Sequence, residues 1–274
     1  MKRYLRVALF ALMALSPLVA HAASLPVQVS VATNSATVRI GNSLSPLADL
    51  SLRFDQASGI TAANLGISAQ TVGLQDPVLL ARLPSLASLQ SALPLLVTIE
   101  PPVSGSLVQR RVTHVELHTH ALPYVAGSRL RLFKAQLNGP FRDITNSIEP
   151  GSVRTRGTTP GWSQFLVLLD LRPTADVIGE KFSYLHAEVN KLPAIEANPL
   201  RAYLTSAEAA VADGRFDDAM VAMDGFKARV AARAGAYIPD TWRSRRDVYN
   251  SAGELLAGAH TLVFSIGFLR DYGA

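Results

Sequence analysis

Residues 27–41 have the sequence VQVSVATNSATVRIG, in which apolar and polar side chains alternate. Valine occupies every second position from 27 to 31, and the same spacing returns at residues 36–40 after the turn-like group Thr33-Asn34-Ser35. Alternation with a period of two and β-branched side chains is typical of half-buried strands. The stretch therefore predicts two such strands separated by a turn.

The same pattern continues as far as Pro173. Further alternating stretches are residues 50–54, 108–121, 130–133 and 162–171. Turn-like groups rich in Gly, Pro and Asn separate them, and no helical pattern intervenes. This spacing is typical of an antiparallel sandwich, which we expect over residues 25–173 with about seven to nine strands. Residues 76–91 are less regular and predict either a short helix or a loop.

After Pro173 the apolar spacing becomes that of a helix. Apolar residues three or four positions apart form one helix face at Ile178, Phe182, Leu185, Val189 and Leu192. Pro193 is expected to end this helix. With three further helical patterns, the sequence predicts a helical domain over residues 176–274. The expected fold class is therefore a segregated α+β protein, with an N-terminal antiparallel β-sandwich followed by a C-terminal helical domain.

The three further helices have their own boundary signals. We expect the second to open with Asn198 as its cap and Pro199 in its first turn. The third is predicted over residues 216–234, and the fourth begins at Thr241 after an Asp240 cap. Residues 262–269 are apolar almost all round and are predicted to be buried, either as helix or as strand. They are too few to span a membrane.

The first 22 residues have the pattern of a secretory signal peptide. Three basic residues precede an apolar stretch at residues 7–19, and Ala20-His21-Ala22 places small residues at the positions that a signal peptidase reads. The apolar stretch is too short for a membrane anchor, which needs roughly 20 residues. We therefore expect cleavage after Ala22, export to the periplasm or beyond, and no transmembrane segment in the mature chain.

Composition narrows the class of protein. Hydrophobic residues make up 49% of the chain, which predicts a packed core. The chain has no cysteine, so its stability must come from burial without disulfides. The formal net charge is +5, but the leader holds three of the 26 basic residues and none of the 21 acidic ones, which leaves +2. Such a small charge gives little reason to expect nucleic-acid binding.

One strand-like segment carries a candidate metal site, His114-Val115-Glu116-Leu117-His118-Thr119-His120. Residues two apart on a strand point to the same side. The set so formed, called the histidine face below, is His114, Glu116, His118 and His120. Nitrogen and oxygen ligands without sulfur suit Zn, Cu(II) or Ni(II). A solvated face of an amphipathic strand fits the same residues, because a single strand cannot close a tetrahedral site.

The C-terminal part resembles a known module. The residues that carry the likeness are Gly214-Arg215-Phe216-Asp217-Asp218-Ala219, Phe226 with Val230, Gly235, and Ile238-Pro239. Over residues 200–258 this pattern resembles the FIMAH module, a small helical domain at the C-terminal ends of exported bacterial proteins. It also resembles one tetratricopeptide helix pair, but no second copy follows. The FIMAH likeness implies an appended interaction or structural domain without a catalytic role. The whole chain resembles uncharacterised exported proteins of proteobacteria.

No sequence motif identifies a reaction. The chain has no Gly-x-Ser-x-Gly elbow, P-loop or dinucleotide fingerprint. Trp162 and Tyr124 lie near turns, where they are expected either to end a strand in the core or to stack on sugar rings. We therefore expect an exported non-enzymatic binding or scaffold protein without a cofactor, whose partner is an envelope protein or polysaccharide. The alternative is a metal-binding protein or metal-dependent exported enzyme that uses the histidine face.

Overall fold

A computed structural model describes residues 22–42, 44–123, 125–149 and 152–273. These residues form two antiparallel β-sheets and six helices, four of which lie after residue 173, so the protein is a mixed α+β protein. The predicted signal peptide falls on residues that lie outside the described ranges, apart from Ala22, and Tyr124 also lies outside them.

The described residues contain fourteen strands. The first seven are β1 (Ser24–Leu25), β2 (Val27–Ala32), β3 (Ser35–Gly41), β4 (Pro46–Ser58), β5 (Ile67–Thr71), β6 (Ala87–Leu89) and β7 (Leu95–Ile99). The last seven are β8 (Val108–Pro123), β9 (Leu130–Ala135), β10 (Arg142–Asp143), β11 (Thr145–Glu149), β12 (Ser152–Thr159), β13 (Gln164–Asp170) and β14 (Thr241–Arg243). The predicted strands at residues 27–31, 36–40, 50–54 and 108–121 are confirmed.

The strands are divided between two sheets. Sheet A has the order β1-β5-β7-β13-β9-β10, with β6 paired to β13. Sheet B has the order β11-β12-β8-β4-β3-β2, with β14 paired to β8. One hydrophobic cluster contains side chains of both sheets, such as Ile40 and Leu50 of sheet B with Val97 and Phe165 of sheet A. The buried faces of the two sheets thus contribute to one core.

The described helices are α1 (Ala62–Leu65), α2 (Pro77–Leu80), α3 (Thr174–Val189), α4 (Ala194–Ala212), α5 (Phe216–Arg233) and α6 (Ser251–Tyr272). Helices α3 to α6 form a second core around Leu200, Phe226 and Leu255. Val112 of β8 belongs to this helical core, so the helices pack directly on sheet B. The irregular residues 76–91, for which the sequence predicts either a short helix or a loop, contain the short helix α2 and the strand β6, which the sequence did not predict.

The start of the second long helix was predicted wrongly. Helix α4 begins at Ala194 instead of after Asn198, and Pro199 lies inside it. The reason is tertiary: Glu196 is buried in the first turn and pairs with Arg233 of α5, whose Nε lies 2.9 Å from Glu196 Oε2. This ion pair and the buried Ala197 extend the helix back to Pro193, although Pro199 removes one helical hydrogen bond.

The prediction of a helix from Thr241 was also wrong. Residues 241–243 form β14, which pairs with Val108–Arg110 of β8, and the last helix begins only at Ser251. The cap is Asn250, whose Oδ1 accepts from Gly253 N at 2.8 Å. Thr241 and Trp242 favour a strand wherever an open sheet edge is available. The edge of β8 beside them supplies it.

Residues 262–269, for which the sequence predicts either helix or strand, are part of α6. By length and hydropathy, α6 is the one helix in the described ranges that could cross a membrane, but 67% of its apolar window is buried inside the protein. Core helices of soluble proteins have the same property, so this is weak evidence for a membrane span.

Candidate ligand-binding groove

The histidine face forms as the alternation predicted. Val115 and Leu117 are buried in the core to which both sheets contribute, while His114, Glu116 and His118 are half-buried and His120 is exposed on the other side of β8. The four side chains therefore share one side of sheet B.

Other groups engage the side chains of the histidine face. His114 Nε2 lies 3.1 Å from Asp55 Oδ1 of β4, and Arg156 Nε donates to Glu116 Oε2 at 2.5 Å. The rings of His118 and His120 meet edge to face, with centroids 4.6 Å apart. Within the described ranges, no group of three or more His, Asp or Glu side chains is arranged to hold a metal ion. Metal binding by this face stays a prediction.

A second group of charged and aromatic side chains lies in a groove between sheet A and the helices. The groove follows β9 and β10 on one side and α3 and α6 on the other. Arg142 stacks on the ring of Tyr184 at 4.2 Å and divides the groove into two parts. We call these parts the polar compartment and the apolar compartment.

The polar compartment has a volume of about 300 Å³ and lies where several strands end. Its walls include Lys134, Trp162, Trp242, Tyr249 and Glu254. It adjoins a second space of about 270 Å³, which shares Lys134, Tyr249 and Glu254 and reaches Arg142. Clefts at the junction of two layers with a few convergent polar groups are the usual ligand sites of proteins.

Lys134 of β9 is the unusual residue of this compartment. Its side chain is only 6% exposed, yet its ammonium donates to a single described oxygen, the uncharged Oγ1 of Thr159 at 2.6 Å. An ammonium has three N–H donors, and a buried charge without a carboxylate partner is costly. Burial accordingly lowers the pKa of Lys134 to about 8, against the opposing effect of the Glu254 charge.

Two indole rings also line the polar compartment. Trp162 is 7% exposed and packs against Phe54 with ring centroids 5.6 Å apart, which confirms that it is a core residue, although it lies in the loop before β13 and not in a strand. Its buried Nε1–H has no acceptor among the described residues. Trp242 of β14 is half-buried and lies close to Gly161, where a Cβ atom would come within 2.8 Å of the Trp242 ring. Only glycine allows this approach.

A family comparison covers nearly the whole chain. Residues 9–270 match the model of DUF6689, a family of unknown function. The chain belongs to DUF6689. No curated protein and no solved structure matches it. Because the family match is continuous, it neither separates a C-terminal module nor confirms the FIMAH likeness of this DUF6689 protein.

The other charges of the groove are paired with one another. Arg142 Nη2 donates to Glu254 Oε2 at 2.9 Å, and the Tyr184 hydroxyl donates to the same carboxylate. Burial alone would raise the pKa of Glu254, but the charges of Arg142 and Lys134 hold it below its usual value. Burial and the Glu254 charge raise the pKa of Tyr184. The carboxylate nearest to Lys134 is therefore already engaged, and the tyrosine stays a neutral donor.

Sequence reasoning missed this site, although one signal was present. Residues 130–135 have the sequence LRLFKA, in which Arg131 and Lys134 are three positions apart. On a strand such residues point to opposite faces, so each face of this apolar strand carries one cation. Both are buried in the structure. This local pattern could not predict which residues surround Lys134, because Glu254 lies 120 positions away in the sequence.

Proposed function

We propose that this protein is an exported, non-enzymatic binding protein of the cell envelope. Its polar compartment would bind a saccharide unit that carries a carboxylate. The observation that carries the proposal is the buried ammonium of Lys134, bonded to one neutral oxygen in a cleft walled by indole rings. Export rests on the leader pattern of residues 1–22, and the small charge of the remaining chain gives no support for a nucleic-acid partner.

No carboxylate of the described residues is hydrogen-bonded to the Lys134 ammonium, so the place beside it is open to the carboxylate of a ligand. Hydrogen bonds between charged partners contribute about 1.5–3 kcal/mol, more than neutral ones. The gain is large where the cation is already removed from water, because its desolvation cost was met on folding. The Glu254 carboxylate does not fill this role, since it already pairs with Arg142.

The remaining walls favour a sugar ring over a plain aliphatic acid. Trp242 and Tyr249 offer flat aromatic surfaces, and Gln136, Ser163 and Asn250 add uncharged polar groups around them. Sugar rings present both an apolar face and a rim of hydroxyl groups, which such a mixture of walls can accommodate. Of the two partners expected from the sequence, these walls favour a polysaccharide with acidic sugar units over an envelope protein.

Calorimetric titration of the processed protein, beginning at Ala23, tests this proposal. Glucuronate is expected to bind at least about tenfold more tightly than glucose, which has the same ring but no carboxylate. The Lys134→Met variant is expected to lose this preference, because it keeps the length of the side chain and removes its charge. Lys227→Met, on α5 and outside the walls of the groove, serves as the matched control.

Two outcomes would contradict the proposal. One is equal affinity of the wild-type protein for glucuronate and glucose, or no heat from either at millimolar concentrations. The other is an unchanged preference in Lys134→Met. Because a buried charge without a charged partner is costly to the folded state, the variant that replaces it by an apolar residue is expected to fold. A loss of binding can then be assigned to the site.

Two architectural points belong to the same proposal. We propose that the two sheets pack face to face as a sandwich, which the shared core of Ile40, Leu50, Val97 and Phe165 supports. We also propose that residues 200–258 act as a docking module, as their resemblance to FIMAH implies. The predicted division into residues 25–173 and 176–274 stays a prediction, since β14 of the second part pairs with β8 of the first.

The metal alternative rests on the close approach of His118 and His120 on one face. If it holds, protein purified without chelators will contain stoichiometric Zn, Cu or Ni, and His118→Ala will lose it, because two neighbouring imidazoles supply the first ligands. Elemental analysis of the processed protein measures this. Finding no metal in the wild-type protein, or the same content in the variant, would contradict the alternative.

A further inference from the structure

The apolar compartment lies on the far side of the Arg142–Tyr184 stack and has a volume of about 370 Å³. Its walls include Leu83, Phe141, Ile144 and Val177, of which the last three are buried. These residues come from the segment after α2, from the β9–β10 region and from α3. An apolar space of this kind holds a hydrocarbon group more readily than a sugar ring.

Arg82 is the cation in this wall whose charge is not neutralised. Its Nε donates to Gly139 O at 2.8 Å, and its Nη2 donates to Gln164 Oε1 at 2.6 Å and to Gln136 O at 3.2 Å. All three acceptors are uncharged. In the described part of the chain, Nη1 has no acceptor and no carboxylate pairs with Arg82. Its guanidinium also lies 4.7 Å from the Phe141 ring, at the edge of the apolar wall.

The neighbouring cations differ from Arg82 in this respect. Arg172 pairs with Asp170 at 2.7 Å, Lys181 pairs with Asp143 at 2.6 Å, and Arg142 pairs with Glu254. A guanidinium remains charged at every physiological pH and binds carboxylates in a two-pronged geometry. Arg82 is therefore the wall residue that is prepared to meet an anionic group.

The chain beside the compartment is also unusually apolar at its surface. Val78 and Leu86 are 71% and 63% exposed, and they flank the wall segment 81–84. Leu171, also exposed, is held beside Leu86 by a hydrogen bond from its N to Leu86 O at 3.0 Å. Exposed apolar residues grouped near a cleft often mark the entry of an apolar ligand.

We propose that the apolar compartment is a second binding site, which takes an amphipathic carboxylate such as a medium-chain fatty acid. The carboxylate pairs with the Arg82 guanidinium, and the alkyl chain lies against Phe141, Ile144 and Val177. This site is separate from the polar compartment, so it does not depend on saccharide binding.

Calorimetry with three ligands of equal chain length tests the inference. Octanoate is expected to bind the wild-type protein more tightly than octanol, and octylammonium is expected to bind most weakly. Arg82→Met is expected to reduce octanoate affinity at least about tenfold and to leave octanol unchanged. Arg82→Lys keeps a cation and is expected to recover part of the loss. Arg201→Met, on α4 and outside these walls, is the control, and Lys134→Met is expected to bind octanoate normally.

Two results would overturn the inference. The first is that octylammonium or octanol binds as tightly as octanoate to the wild-type protein, a comparison that needs no variant. The second is that Arg82→Met, shown to be folded by its melting curve, binds octanoate as the wild type does. Loss of octanoate binding in Lys134→Met would assign the carboxylate to the polar compartment and would equally reject the second site.

Discussion

Replacing Lys181 by methionine is expected to lower the free energy of unfolding by about 3–5 kcal/mol. Lys181 of α3 is buried, and its Nζ donates to Asp143 Oδ2 at 2.6 Å, Thr261 Oγ1 at 2.7 Å and Ser265 Oγ at 2.7 Å. These partners belong to β10 and α6, so one ammonium joins the sheet to two helices. The methionine would leave the buried Asp143 carboxylate without its cation.

Chemical denaturation of the wild type, Lys181→Met and the double variant Lys181→Met with Asp143→Asn measures this effect. The double variant is expected to be more stable than the single one, because it removes the stranded charge together with its partner. Lys227→Met is the control, since Lys227 forms an ion pair with Asp224, whose side chain is 68% exposed. The loss of this ion pair is expected to cost less than about 1 kcal/mol. A similar cost for Lys181→Met and Lys227→Met would contradict this account of the junction.

The pH dependence follows from the same pair. The Lys181 charge holds the pKa of Asp143 below its ordinary value of 3.8, although burial acts in the opposite direction. A carboxyl whose pKa is lower in the folded state stabilises the fold above pH 3.8, and this contribution disappears as the pH falls through the folded-state pKa. The difference in the free energy of unfolding between wild type and Lys181→Met is therefore expected to be full at neutral pH and to become smaller in strong acid.

Replacing Gly253 by alanine is expected to cost about 2–3 kcal/mol, whereas Gly267→Ala on the same helix is expected to stabilise by up to about 1 kcal/mol. A Cβ at position 253 would lie 2.4 Å from Arg111 O, a backbone atom of β8 that cannot move freely. A Cβ at position 267 would meet only Met220 Sδ, at 3.8 Å. Both residues are inside α6, where alanine is otherwise the better helix former.

Thermal melting of the two variants measures this contrast. The close approach at Gly253 lets Asn250 donate to Arg111 O at 2.7 Å and fixes the first turn of α6, which carries Glu254 into the groove. Opposite signs of the two melting-temperature shifts are expected, each of a few degrees per kcal/mol. Equal shifts would mean that α6 does not pack on β8 as closely as the structure describes.

The parts of the fold that the sequence predicted are those set by neighbours along the chain. The alternation in residues 27–31 and 36–40 specifies β2 and β3, and the side chains of the histidine face lie on one side of β8 because strand geometry leaves no alternative. The apolar spacing of Ile178, Phe182 and Leu185 likewise predicted the buried face of α3.

The parts that were missed depend on residues distant in sequence. Helix α4 begins early because Glu196 pairs with Arg233, and residues 241–243 become a strand because β8 presents an open edge there. The candidate site has the same origin, since Lys134 shares its compartment with Glu254 of α6 and with Trp162 of the loop before β13. Local propensity carries no information about such partners.

The most direct test of the proposed site is the pKa of Lys134, followed by NMR in lysine-labelled protein that begins at Ala23. Four lysines remain after the leader, and the signal that is missing from the spectrum of Lys134→Met is that of Lys134. We expect a pKa of about 8 in the free protein, a higher pKa with saturating glucuronate because a carboxylate favours the charged ammonium, and no change with glucose. A pKa near the ordinary 10.5 in the free protein, or one that glucuronate leaves unchanged, would contradict it.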